Sequence, residues 1–279
     1  MKRSLDQVQS LAVQYQVPIL CAGDLFDHWK APPELINFAL VHLPDEMIAI
    51  PGQHDLPHHR MEDLHRSAFQ TLVEAGKIKR VGSEGISLTL KRNSFTTESL
   101  DLYGFAWGQE ITKPAPTGQG LRVALVHRYI WVKGHSYPNA PKDSRAGRSR
   151  KELTGYDVAI FGDNHLGFSW KLGSTQVFNC GSLMRRASDE ISYRPQVGLI
   201  HLSGKVTRIH LDISQDSLQA TKTKAEGTPD LELTEFLEEL QQLAGTPLDF
   251  TEAMKQTLAK KKPRREVRDL ILKAMDNAQ

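Results

Sequence analysis

The sequence predicts an α/β fold followed by a helical C-terminal region. Three observations carry this. Over the first part of the chain, short apolar runs bounded by turn residues alternate with segments of helical apolar spacing. Several of those runs stop at a Gly followed by Asp, His or Asn, the carboxyl-end position where sites form in α/β sheets. Near Ser214 the character changes to a polar stretch and then to helix-like spacing.

The elements follow in order. Arg3 to Tyr15 sets Leu5, Val8, Leu11 and Val13 on roughly one helical stripe. Val17 to Cys21 reads as a buried strand that ends in Gly23-Asp24-Leu25-Phe26-Asp27. Pro33 to Leu43 reads as a helix, with proline at its start, where the missing N–H is harmless. Glu46 to Ile50 is a second buried strand, ending in Gly52-Gln53-His54-Asp55, and Met61 to Ala75 a further helix. Alternation then marks strands at 86–90 and 100–106, and Arg122 to His127 is another buried strand. Lys133 to Arg150 reads as a loop. The runs at 156–165 and 175–182 are strands entering polar residues, and a hairpin is predicted around Ser203-Gly204. The reading gives a domain over residues 1–213, a linker at 214–229 and helices at 230–279.

The 279 residues suffice for one large α/β domain with an appendage. A net charge of +2 does not by itself point to nucleic acid, although a local basic face stays open. Cys21 and Cys180 lie in or beside apolar runs, as buried free thiols of a reducing compartment do, and a CxxC zinc cluster is excluded. No apolar stretch is long enough to span a bilayer, and Met1 to Gln16 lacks a signal-peptide apolar region. The expectation is a cytoplasmic protein with no membrane partner.

Four strand ends carry hard or borderline metal ligands: Asp24 and Asp27; Gln53, His54 and Asp55; His127; and Asp163, Asn164 and His165. Any one alone reads more simply as a turn or a structurally satisfied histidine. Their order and context resemble the calcineurin-like metallophosphoesterases, whose motifs run D-x-H, GDxxD, GNH(D/E), a lone His and GHxH. Within that family the SbcD-type DNA-repair nucleases look closest, on the "GDLF" form after the first strand and the Gly-Ser-then-Arg element at Asn179 to Arg186.

The resemblance implies a two-sheet α-β-β-α sandwich and a pair of divalent metal ions, with Mn²⁺ preferred and Mg²⁺, Fe²⁺ or Zn²⁺ as alternatives. It makes Asp24 the bridging carboxylate. Gln53, His127 and Asp163 then serve one metal and His165 the other. His54 corresponds to the histidine that protonates the leaving alkoxide or stabilises the transition state, with Asp55 orienting it. His28, Arg185 and Arg186 face the substrate in this scheme, although the arginines pair equally well with Asp189 or Glu190. Gln53 replaces the usual Asn, and Asp163 replaces an imidazole by an anion, which favours oxygen-loving metals.

The family's first motif, D-x-H, has no counterpart: Asp63-Leu64-His65 lies in a predicted helix and Asp163-Asn164-His165 belongs to the last motif. Met1 therefore reads as an internal methionine of a longer frame, the metal served by His165 as weakened, the family's first strand as missing and its neighbour as an exposed edge. The leading function is metal-dependent phosphodiester hydrolysis of SbcD type on DNA, with an SMC-like ATPase or a second copy as partner through the helices at Asp230 to Asn277. The alternatives are a phosphatase or cyclic-nucleotide phosphodiesterase, and a non-catalytic metal-binding scaffold. His58, His59 and the basic run from Lys260 to Arg265 read as solvated, and His201 and His210 as structural.

Overall fold

Backbone alternation, not helix content, organises the molecule. The computed structural model describes residues 1–216 apart from 46, 92–96, 116–119, 138 and 186–191. They belong to one compact unit, Met1–Gln219; a second unit, Ala220–Gln279, lies outside the described residues, as do the helices expected at 230–279 and nearly all of the expected linker.

Three parallel strands form the first sheet, in the order β1 (Ile19–Cys21), β2 (Met47–Ala49) and β3 (Ile78–Arg80). The second sheet has six strands. They are β4 (Ile86–Lys91), β5 (Thr97–Phe105), β6 (Leu121–Val126), β7 (Val158–Phe161), β8 (Phe168–Leu172) and β9 (Thr175–Asn179), in the order β4-β5-β6-β7-β9-β8. Strands β5, β6, β7 and β9 run parallel, and the antiparallel β4 and β8 close the two edges. A separate hairpin, β10 (Gln196–Ile200) with β11 (Val206–His210), matches the pairing predicted around Ser203-Gly204.

Successive residues point to opposite faces of a strand, so each buried strand feeds two cores. Ile48 and Ile50 meet Leu102, Val123, Leu125, Val158, Ile160 and Phe178 between the two sheets. Their neighbours Met47 and Ala49 face the other way, into a layer with Leu5, Ala39, Phe69 and Leu72 from the helices α1 (Lys2–Tyr15), α2 (Pro33–His42) and α3 (Ala68–Glu74). On the far side, Phe105, Ala124, Val126, Ala159 and Phe161 pack against Ile130, Ala146, Leu153 and Tyr156. Among the described residues that outer layer is built of irregular chain and short 3₁₀ turns at Lys142–Ser144 and Ala146–Arg150. Strands buried on both faces read as unbroken apolar runs, which is why β2, β6 and β7 are visible in the sequence.

The helix expected over 61–75 is divided. A 3₁₀ segment, Met61–Arg66, precedes α3, and Ser67 between them is extended because its Oγ accepts the Gln70 N–H at 3.1 Å. Such a cap is worth about 1 kcal/mol and competes with helix continuation. Strands β3 and β8 escape the sequence reading because their runs, Ile-Lys-Arg and Phe-Ser-Trp-Lys-Leu, are short and broken by polar residues. Helix α1 is tied to the chain after β11: Arg3 ion-pairs with Asp212 and Asp216, and Gln7 exchanges two hydrogen bonds with the Asp212 backbone. Strand β1 pairs with β2 and forms an edge of its sheet among the described residues. No described helix is long and apolar enough to cross a membrane.

Candidate metal centre

The carboxyl ends of β1, β2, β6 and β7 converge. Ligand atoms of Asp24, His127 and Asp163 all lie within 4.8 Å of one another. Asp24 Oδ2 is 3.3 Å from His127 Nε2, and Gln53 Oε1 is 2.7 Å from the same nitrogen. The Gln53 amide nitrogen donates to Asp163 Oδ1 at 3.0 Å, so the glutamine bridges the histidine and the second carboxylate.

Tight loops hold these groups. Asp24 and Asp163 both take left-handed backbone conformations, with φ of 54° and 73°. A non-glycine residue held there costs roughly 1–3 kcal/mol and persists where the surroundings enforce it, often at functional sites. A Cβ on Gly52 would run into the Asp24 carboxylate, and one on Gly162 into the Ala22 carbonyl, so both approaches require glycine. The His127 ring is 1 % exposed and its Nδ1 bonds the Ala22 carbonyl, which aims Nε2 at the cluster.

The donor set calls for a cation. With Nδ1 donating to a carbonyl, Nε2 faces the Asp24 carboxylate and the Gln53 amide oxygen, both acceptors. Either a proton or a metal must stand on that nitrogen. Burial opposes a charged His127, but the hydrogen bond and charge of Asp24 outweigh it and raise the pKa. Burial likewise opposes ionisation of Asp24, yet His127 and the His54 amide outweigh it and hold the carboxyl below its usual range. Two carboxylates, an imidazole and an amide oxygen suit a divalent ion such as Mn²⁺, Mg²⁺ or Fe²⁺. These residues therefore fit a metal.

Other predicted residues sit elsewhere. The ring of His54 is exposed, and its backbone N–H donates to Asp24 Oδ1 at 3.0 Å. His165 is exposed too and stands outside the group of converging ligand atoms. Asp55 requires a correction. Its carboxylate does not orient His54: it accepts from the backbone N–H groups of Gly52, Leu25 and Phe26 at 2.9–3.1 Å. Fully buried, it joins the loops after β1 and β2, and burial pushes its pKa up to about 6 despite those bonds. Arg185 is largely buried and ion-pairs with Asp216 at 3.7 Å. His28 is exposed, accepts from the Lys30 N–H at 3.1 Å and leans on Trp29. Arg186 lies outside the described residues, as do Asp189 and Glu190.

The sequence places Asn164 at a strand end without assigning it a role. It is buried, donates to the Ile130 and His135 carbonyls and accepts from the Leu166 N–H, which fixes the loop carrying Asp163. Its place inside Gly162-Asp163-Asn164-His165 was the available signal. His59, read as solvated, meets Trp107 with ring centres 5.3 Å apart and planes tilted at 45°, beside the loop that carries Gln53. The thiols of Cys21 and Cys180 are free, and burial pushes them up to about 12 and about 11, so neither is a nucleophile at neutral pH.

A sequence profile of the calcineurin-like phosphoesterases matches residues 11–167, which include every member of the cluster. No curated protein sequence matches the chain. Among solved structures, it is similar to TT1561 of Thermus thermophilus at 14% identity and a TM-score of 0.46, covering 75% of this chain and 93% of that one. The sulfate thiohydrolase SoxB of Thermus thermophilus gives 10% identity and a TM-score of 0.46, over 76% of this chain and 43% of that one. An archaeal phosphodiesterase gives 14% identity and a TM-score of 0.38, over 75% and 92%.

Proposed function

Because the chain belongs to the calcineurin-like phosphoesterase family, and that family hydrolyses phosphoesters with divalent metals, we propose that it is a phosphodiesterase acting on DNA. The observation that carries the hydrolytic reading is the convergence of Asp24, Gln53, His127 and Asp163 at four strand ends. These residues would hold a metal, with Mn²⁺ the preferred ion, and Asp24 and His165 a second one. When bound, a divalent ion supplies positive charge that acidifies a water and polarises a phosphoryl oxygen.

The chain's own residues supply the rest. Ala22 and the buried position of His127 fix the imidazole tautomer, and Gln53 holds Asp163 in place. His54, exposed beside Asp24, is free to meet the substrate and protonate the leaving alkoxide. Support for DNA comes from the "GDLF" and Gly-Ser-Arg elements shared with SbcD-type nucleases; that likeness also makes an SMC-like ATPase the partner to test by pull-down.

The test is Mn²⁺-dependent hydrolysis of linear DNA and of bis-p-nitrophenyl phosphate, with His54→Ala beside the native chain. Cleavage of both, lost in the variant, is the expected result. Cleavage of the small diester alone would replace the nuclease by a phosphatase or a small-diester phosphodiesterase. No hydrolysis with metal bound would make the chain a non-catalytic scaffold.

A further inference from the structure

A cavity of about 480 Å³ opens beside His127, walled by residues Gly108 to Ile111, Arg128 and Glu152. His127 therefore belongs to both the metal cluster and the cavity. Immediately before Gly108, Trp107 leans on His59 with ring centres 5.3 Å apart and planes tilted at 45°. Both residues are tied to the loop that carries Gln53: the Trp107 backbone N–H donates to the Pro51 carbonyl at 3.4 Å, and the His59 ring Nδ1 lies 3.1 Å from the Gln53 carbonyl oxygen. Trp107 is nevertheless 36 % exposed, so its ring is available to a ligand.

The walls indicate what fits. Arg128 is committed to Glu152 through two bonds of 2.6 and 3.1 Å, and Glu110 is exposed beside them. The carboxylates of Glu110 and Glu152 offer acceptors to N–H groups. Ile111 contributes an apolar surface. We infer that this cavity, together with Trp107, which directly precedes its wall residue Gly108, is a subsite for the nucleobase next to the scissile phosphate. The inference rests on the proposed phosphodiesterase reading. It deepens that reading by assigning the substrate a base that stacks beside the metal cluster, with its N–H edge toward Glu110 or Glu152.

The kinetic test compares a dinucleoside monophosphate with the same diester lacking its bases, using the Mn²⁺-loaded full chain. Stacking on one aromatic ring predicts that Trp107→Ala lowers kcat/KM on the base-bearing diester about tenfold, mainly through KM, and leaves the abasic diester unchanged. Trp107→Phe should keep most of the native value. Equal losses on both diesters, or no loss on either, would overturn the subsite. A second readout needs no hydrolysis: saturation-transfer NMR of adenosine with metal-free protein should show transfer to the base protons in the native chain and none in Trp107→Ala. Absence of transfer in the native chain, or its persistence in the variant, would overturn the subsite even if the chain hydrolyses nothing.

Discussion

The two halves of the site are built differently. Asp24, Gln53, His127 and Asp163 are buried or half-buried, and each is held by a hydrogen bond or ion pair to another member of the group. His54 and His165 follow them closely in sequence, yet both are exposed, and neither imidazole bonds another described residue. The first half is preorganised before any ligand arrives; the second is left to be ordered by substrate or metal. That division suits a hydrolase. Charge must be fixed in advance where it is concentrated, whereas a group that transfers a proton must reach the leaving atom.

The largest effect should come from the fixed half. Asp24→Asn removes the charge that faces His127 and receives the His54 amide. Mn²⁺ affinity, measured by titration calorimetry, is expected to fall more than about 100-fold, beyond the usual loss for an outer-shell partner, and hydrolysis to fall to background. His54→Ala should separate the halves: kcat drops by about 10²–10⁴-fold with Mn²⁺ affinity unchanged. Should His54→Ala weaken metal binding as much as Asp24→Asn does, the division between the halves is lost.

The fixed half was legible in the sequence because each ligand follows an apolar strand, and parallel strands bring their carboxyl ends together. That rule brings the strand ends together, and the family resemblance picks Asp24, Gln53, His127 and Asp163 from among their residues. Asp55 needed more. Its partners are the backbone amides of Leu25, Phe26 and Gly52, and side-chain identity says nothing of where a distant loop places its N–H groups. The Arg185–Asp216 ion pair was illegible for a related reason: Asp216 comes from the segment past the hairpin, which has no pattern linking it to the Gly-Ser element. The layer outside the six-stranded sheet left no periodicity to read, because it is built of 3₁₀ turns and loop. The Trp107–His59 stack joins two loops whose proximity only the folded sheets define.

Asp55 sharpens the comparison from beneath. Removing its carboxylate strands three backbone N–H groups in a site that excludes water. Asp55→Ala is expected to cost about 3–5 kcal/mol in urea unfolding of the metal-free chain, an effect of a buried charged acceptor. Asp55→Asn should recover part of the loss, since its one oxygen still accepts. If stability is unchanged in both, the clamp between the loops after β1 and β2 does not hold the fixed half.

The smallest effect belongs to His165 and tests the comparison most directly. An exposed side chain without a bonding partner contributes within about 0.5 kcal/mol to folding, so His165→Ala should leave the urea midpoint where it was. Binding of the first metal should also be unchanged, because the ligand atoms that converge are those of Asp24, His127 and Asp163. Only a second, weaker binding event, the one assigned to Asp24 with His165, should disappear from the titration. A tenfold loss in the first event would show instead that His165 swings onto the buried cluster when metal binds. The line between fixed and free halves would then have to be drawn after His165, and the preorganised set would include a residue that stands exposed in the metal-free fold.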